Sequence, residues 1–187
     1  KPDDPLVRLD ALTFVLVTKG ESIITVDYIP YRVTQHMPLG LSLKHLLNSI
    51  NMSHDAKGYY VMFSKVILKE MFPQLLTIPK EYLMSRRLNP LMKLDPKDYT
   101  LLVSILERLR NNIRRSDHVF HGAMVMNEAG NFLMEFVNIN MRQMGGVPKD
   151  YKTSHNEELA LKFMHLVVTH GKEWNEVSQY STELCVT

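Results

Sequence analysis

The side chains best suited to metal or proton chemistry in this chain are eight histidines: His36, His45, His54, His118, His121, His155, His165 and His170. Two histidines one residue apart on a strand would send both rings to the same face and could share a metal. None of the eight is spaced that way. His118 and His121 stand three apart and could share a helix face, but no carboxylate in the first half of the chain partners them. His170 suits a helix C-terminus, where a cation is favoured. Cys185 is the only cysteine, which excludes a disulfide framework and a multi-cysteine metal site. No serine sits in a nucleophile elbow, and Gly145-Gly146 ends a helical pattern rather than opening one, so no phosphate loop is present. Paired acids for acid–base work are not discernible. The expectation is therefore no catalytic residue, no metal ligand, no cofactor and no enzyme.

Binding residues are the remaining candidates, and they fall on strand patterns. Leu12 to Thr18 is a run of strand formers, Lys19-Gly20-Glu21 is turn chemistry, and Ser22 to Asp27 resumes as a strand. Tyr28 to Thr34 reads as a third strand, with Pro30 confining its first part to an edge. Leu39 to Met52 is helical by length, but its neighbours favour short strands around Leu41–Leu43 and Leu46-Leu47. Tyr59 to Phe63 is aromatic and β-prone. Lys65 to Phe72 reads as a short helix, and Ile78 to Leu94 as loop with a strand near its end. Several short strands with turns between them imply a small barrel, which encloses side chains or one ligand. Its interior would place Phe14, Leu16, Lys19, Tyr31, Tyr60 and Met62 around a ligand; the alternative is that these side chains simply fill the core.

Asp95 to Gly146 reads as two consecutive helices. Asp95 is a good N-cap, Pro96 suits the first helical position, and Leu102, Ile105, Leu106, Leu109 and Ile113 form an apolar stripe. Ser116-Asp117 breaks this helix and offers a cap to the next, from His118 to Met144. That second helix is apolar over most of its circumference, so it is buried on more than one side. One face is expected to pack inside the subunit and the other against a second copy, through Phe120, Met124, Phe132, Met134, Phe136 and Met141. The plainer alternative is the central core helix of a monomer.

A net charge of +2 is no electrostatic footprint for nucleic acid, and Arg86-Arg87 and Arg114-Arg115 read as solvated surface. No apolar run approaches the roughly 20 residues of a membrane helix. The opening Lys1-Pro2-Asp3-Asp4-Pro5 is no signal peptide, and the missing initiator methionine implies an earlier native start. A lone cysteine makes the cytoplasm the simplest expectation. Val147 to Ser154 reads as a linker; Ser154 and Glu157 form a capping box for a helix carrying Leu159, Phe163, Leu166 and Val167, with Gly171 near its end. A short helix follows from Trp174 to about Leu184.

The segment Val177-Ser178-Gln179-Tyr180-Ser181-Thr182-Glu183-Leu184-Cys185-Val186-Thr187 resembles the first helix of the helix-turn-helix in AraC-type bacterial transcription regulators. That pattern runs Val-x-x-x-Ala-x-x-Leu-x-Val-Thr; Ser181 replaces its alanine, while Leu184, Val186 and Thr187 match. Phe14–Ser22 and Gly58–Ser64 are similar to the first hairpin and a late strand of the family's cupin-like sensor barrel. Asp27-Tyr28 stands where the family has Asn-Gly, and the Pro-Gly-Asp turn of cupins is absent around Gln35–Pro38. The resemblance implies an α+β chain: a cupin-like β-barrel over 1–94, a dimerising helical pair over 95–146, a linker over 147–154 and the truncated start of an all-α helix-turn-helix domain over 155–187. It implies a small-molecule effector inside the barrel, with Lys19 near a cationic contact, a homodimer through the helix at 118–144, and DNA contact by a recognition helix missing from this chain. Two other readings stay open: a cupin-like enzyme with an unrecognised metal site, and an assembly module that senses nothing.

Overall fold

The computed structural model describes residues 7–43, 45–71, 78, 80–143, 155–171 and 173–186. Its strands are β1 (Val7–Arg8), β2 (Ala11–Lys19), β3 (Ser22–Val26), β4 (Ile29–Val33), β5 (Leu39–Leu41), β6 (Leu46–Met52) and β7 (Lys57–Ser64). Its helices are α1 (Lys65–Met71), α2 (Lys80–Leu88), α3 (Pro96–Arg114), α4 (His121–Gln143), α5 (His155–His170) and α6 (Val177–Leu184). The architecture is α+β.

The strands form two antiparallel sheets, one in the order β1-β6-β3-β4 and one in the order β5-β2-β7. The expected closed barrel is therefore an open pair of sheets: among the described residues no ladder joins the edges of one to the edges of the other. Two of the turns at which the chain crosses between sheets, β2 to β3 and β6 to β7, are tied to each other. Ser53 donates its backbone N–H to the Glu21 carbonyl at 3.0 Å, and its hydroxyl accepts the Glu21 N–H at 3.0 Å. Gly20 has φ 69° in the first of these turns, and a Cβ there would collide with Ser53 and Asp55, so glycine is required twice over.

Asp27 and Tyr28, at φ 48° and 66°, make a primed two-residue turn between β3 and β4 without any glycine. Asp27 Oδ1 accepts the Leu46 N–H at 2.8 Å, and Asn48 Oδ1 accepts the Tyr28 N–H at 3.0 Å. These bonds offset part of the left-handed backbone cost. Pro30 lies on β4, an edge strand, as its missing N–H requires.

β2 is covered on both faces, which is why it reads as an unbroken apolar run. Phe14 and Leu16 join Leu102, Ile105, Leu106, Phe132, Leu133 and Phe136 in a core between this sheet and α3–α4. Val17 belongs to a second core with Ile24, Val26, Val33, Leu39 and Leu41, between the two sheets.

α2 was not expected. Lys80–Leu88 holds mostly strong helix formers, but the segment is only 9 residues long and prolines flank it in sequence, which hides a helical period. In α3 the expected cap is present, with the Asp98 N–H donated to Asp95 Oδ1 at 2.7 Å. Leu102, Ile105, Leu106 and Leu109 are buried as the stripe requires, while Ile113 is exposed. α4 begins at His121, not His118, because residues 116–120 turn the chain, with the Phe120 N–H donated to the His118 ring at 3.1 Å. The end of the expected helix at Met144, the 147–154 linker and the Ser154–Glu157 capping box lie outside the described residues and side chains.

Two of the side chains expected at a dimer interface belong to the core. Phe132 is 0% exposed and Phe136 is 6% exposed, and their rings lie 5.4 and 4.5 Å from that of Phe14. Such burial leaves no surface for a second copy. The ends of the helical hairpin are clamped by Arg142, which donates to both carboxylate oxygens of the buried Asp98 at 2.6 Å.

Tyr28→Gly is expected to stabilise the protein by about 0.5–1 kcal/mol, since the left-handed penalty of about 1–2 kcal/mol exceeds glycine's added unfolded-state entropy. Denaturant unfolding of the two proteins would read this directly; a loss of stability would mean that the exposed Tyr28 ring makes a contact worth more than the strain.

Candidate functional site

A cavity of about 490 Å³ lies on the helix side of the β5-β2-β7 sheet. Its floor is Leu12 and Phe14 of β2 and Gly40 of β5. Leu12 and Phe14 leave the same face of β2 because strand side chains alternate. Three helices wall it, each with a single face. α1 presents Lys65, Leu68 and Lys69; α2 presents Leu83, Arg86 and Arg87; α4 presents Leu133, Phe136, Val137 and Asn140. Each set follows the three-and-four spacing that brings side chains together on one side of a helix. Ser42, Leu43 and Ile78 complete the lining.

Among the described residues the lining is apolar apart from Lys65, Lys69, Arg86, Arg87, Ser42 and Asn140. Lys65 reaches outward to Asp10 at 2.9 Å. Arg87 donates to the Leu43 carbonyl at 2.8 Å, and Arg86 to the Leu91 carbonyl at 3.4 Å. Asn140 donates to the sulfur of Met92 at 2.8 Å. The Ser42 hydroxyl oxygen is buried without a hydrogen-bond partner. Gly40 lets the Phe136 ring approach closely: a Cβ there would stand 3.3 Å from it, so the ring would have to give by a few tenths of an ångström.

His45 holds α2 in place beside this cavity. The ring is 1% exposed, with Nε2 3.1 Å from the Arg87 carbonyl and 3.7 Å from Asp27 Oδ2. Together with the bond from Arg87 to Leu43, this ties α2 to the segment ahead of β6 at two points. Nε2 faces two acceptors, so we assign the proton to it; Nδ1 is then a buried acceptor without a partner. Burial pushes the His45 pKa below its ordinary value and the Arg87 charge adds to this, while Asp27 and the Arg87 carbonyl oppose it.

The ligand residues expected from the sequence do not converge. Phe14 lines the cavity. Leu16 is packed in the core beside it. Tyr60 and Met62 point away and are half-exposed, since Phe14 pairs with Val61 and the residues flanking Val61 must take the opposite face. Tyr31 packs against the inter-sheet core, where burial raises its pKa. Lys19 is exposed and lies 3.6 Å from Asp55. The candidate site therefore sits outside the sheets, under the helices, and not between the sheets. Arg86 and Arg87, expected as solvated surface, line it. The signal that could have found them is Lys65, Lys69, Arg86 and Arg87 interleaved with Leu68 and Leu83 at helical spacing, a pattern of cations on apolar faces.

Of the remaining dimer candidates, Met134 is 42% exposed and Phe120 67%, while Met124 and Met141 are partly buried. Val119 and Ile113 are exposed near Phe120, around the turn between α3 and α4. His118 and His121 are engaged locally, the latter with the Ile113 carbonyl at 3.2 Å. Among the described residues no three His, Cys, Asp or Glu side chains cluster as a metal site would require, and no helix is long and apolar enough to cross a membrane.

No family model matches the sequence, and no curated protein matches it. Among solved structures the chain is similar to an alanine variant of apo ToxT from Vibrio cholerae, at 10% identity and a TM-score of 0.45, over 100% of this chain and 68% of that one.

With a depressed folded pKa, His45 binds fewer protons in the native state than in the unfolded chain. Its contribution to stability is complete above the ordinary value of 6.5 and is lost as pH falls from there through the folded pKa. Denaturant unfolding across this range should show stability rising with pH in the native sequence and a flatter profile in His45→Gln. Parallel profiles would assign the dependence to other groups.

Proposed function

We propose that this chain is the effector-sensing and dimerisation region of an AraC-type DNA-binding transcription regulator, and not an enzyme. The observation that supports the reading is the conformation of Val177–Val186, the described part of the motif. Its first part is the helix α6, and the chain leaves that helix through Cys185 in a left-handed conformation, φ 54° and ψ 41°. A helix ending in such a reversal is what the first half of a helix-turn-helix needs. α6 buries none of its residues, and Val177 is 82% exposed. Phe163 and Trp174 pack on Tyr180 at 5.5 and 5.2 Å, joining α5 to α6 as the two opening helices of such a unit.

The order of elements supports the same reading: paired sheets first, then a tightly packed helical hairpin, then α5 and α6. In a regulator of this kind, DNA is read by a recognition helix that follows such a motif. The effector would occupy the cavity under α4, and its presence would change how the α3–α4 hairpin presents the segment leading to α5. A homodimer would form through the face of that hairpin left after Phe132 and Phe136 are assigned to the core, with Phe120 and Met134 as its exposed anchors and Met124 and Met141 beside them. The protein would work in the cytoplasm, and pairing two such modules would gain effective concentration on paired DNA half-sites.

Sedimentation of the purified chain should report a dimer, and Met134→Glu combined with Phe120→Glu should convert it to a folded monomer. A native chain that stays monomeric at every concentration, or a dimer indifferent to both charges, would remove the hairpin from the interface and with it the dimerisation half of the reading.

A further inference from the structure

The turn that joins α3 to α4 holds apolar side chains rigidly in water. Val119 is 89% exposed, and Phe120 and Ile113 beside it are exposed too. The segment that carries them is tied down. The His118 N–H is donated to the Arg115 carbonyl at 3.1 Å, and the His121 N–H to the His118 carbonyl at 2.9 Å. The Phe120 N–H is donated to the His118 ring, and the His121 ring lies 3.2 Å from the Ile113 carbonyl. Backbone fixed in this way presents Val119 and Phe120 with little ordering left to do on binding. Charge around this knob is mostly of one sign. Arg110, Arg114 and Arg115 are exposed, and no hydrogen bond or ion pair among the described residues engages their side chains. Asp117 is the only acid from Arg110 to Phe120. Shape narrows the choice of partner. A side chain as exposed as Val119 stands on a convex tip, whereas a stable protein interface draws on roughly 20–30 residues from each side. A few protruding apolar groups backed by cations match a surface that yields to them and carries negative charge.

We propose that the tip between α3 and α4 docks on an anionic lipid surface. Val119 and Phe120 enter the boundary between headgroups and acyl chains, and Arg110, Arg114 and Arg115 meet lipid phosphates. The two contributions support each other. Burying Val119 and Phe120 removes apolar surface from water, and each arginine gains from the negative surface potential, which reaches about a Debye length, roughly 10 Å at 0.1 M salt. The contact is peripheral, since no described helix is long and apolar enough to cross a bilayer. With so few groups engaged it is also reversible. The inference goes beyond the regulator reading. It shares Phe120 with the proposed dimer face, while Val119 and the three arginines belong to the tip alone.

The purified chain is mixed with vesicles of phosphatidylcholine alone and of phosphatidylcholine with phosphatidylglycerol in equal parts, and the bound fraction is read by flotation. The chain should bind the anionic vesicles, less so as salt rises, and bind the neutral ones weakly. Val119→Glu should abolish binding. Arg114→Gln/Arg115→Gln should weaken it on the order of twentyfold, from roughly fivefold for each basic residue at an anionic surface. Val119→Trp reports depth directly. Its emission should shift to the blue on anionic vesicles and be quenched by brominated acyl chains, beyond any change of Trp174, the only tryptophan of the native chain. A chain that ignores anionic vesicles would overturn the proposal, as would binding that survives Val119→Glu. A native chain that ignores vesicles while Val119→Glu weakens its self-association would assign the knob to a second copy instead. Vesicle binding is read on the tip variants and self-association on Met134→Glu, so this proposal and the dimer reading fail separately.

Discussion

The contact on which the rest of the molecule depends is the meeting of Phe14 with Phe132 and Phe136. These rings, 4.5 to 6.0 Å apart in tilted and edge-on pairs, seat α4 on the sheet. They are buried completely or nearly so. Aromatic burial of this size contributes more than any polar contact in the chain, and its geometry fixes both the height and the rotation of the helix. Once α4 is seated, α3 packs beside it and the Asp98–Arg142 pair closes the two ends of the hairpin. The same seating leaves Leu133, Val137 and Asn140 facing a space that α4 alone cannot fill.

That space exists because the sheet is covered unevenly. On one side β2 meets the other sheet, and the packing is continuous from Val17 to Val26 and Leu41. On the other side, long α3 and α4 cover part of the surface, and short α1 and α2 cover the remainder at its margin. A short helix cannot bury an apolar stripe as wide as that of α4, and its cationic side chains complete the wall beside Leu68 and Leu83. The two ties between α2 and the segment before β6, through His45 and Arg87, hold that margin closed.

The open pair of sheets also accounts for the scatter of the expected ligand residues. In a closed barrel every inward position converges on one axis. Here β7 is an edge strand, and its residues on the inter-sheet face, Tyr60 and Met62, have no strand beyond them to pack against. On β6 the short β1 pairs only with Leu46 and Leu47, so Ile50 and Met52 farther along the strand are exposed too.

Much of the fold was legible in the sequence because it depends on local rules. The Asp95 cap, the Gly20 turn, the β2 run and the α3 stripe from Leu102 to Leu109 follow from side-chain chemistry within a few residues and stand where they were expected, while Ile113 at the end of that stripe is exposed. What tertiary structure alone decided is which apolar face goes where. Phe132 and Phe136 on one hand, and Met134 on the other, are equally apolar in sequence, yet two are core and one is surface, because only the position of Phe14 in space distinguishes the sides of the helix. The α2 helix and its arginines were illegible for a related reason: 9 residues hold too few turns for a period to emerge, and the helix takes its role from α1, β5 and His45, which are distant in the chain and adjacent in the fold.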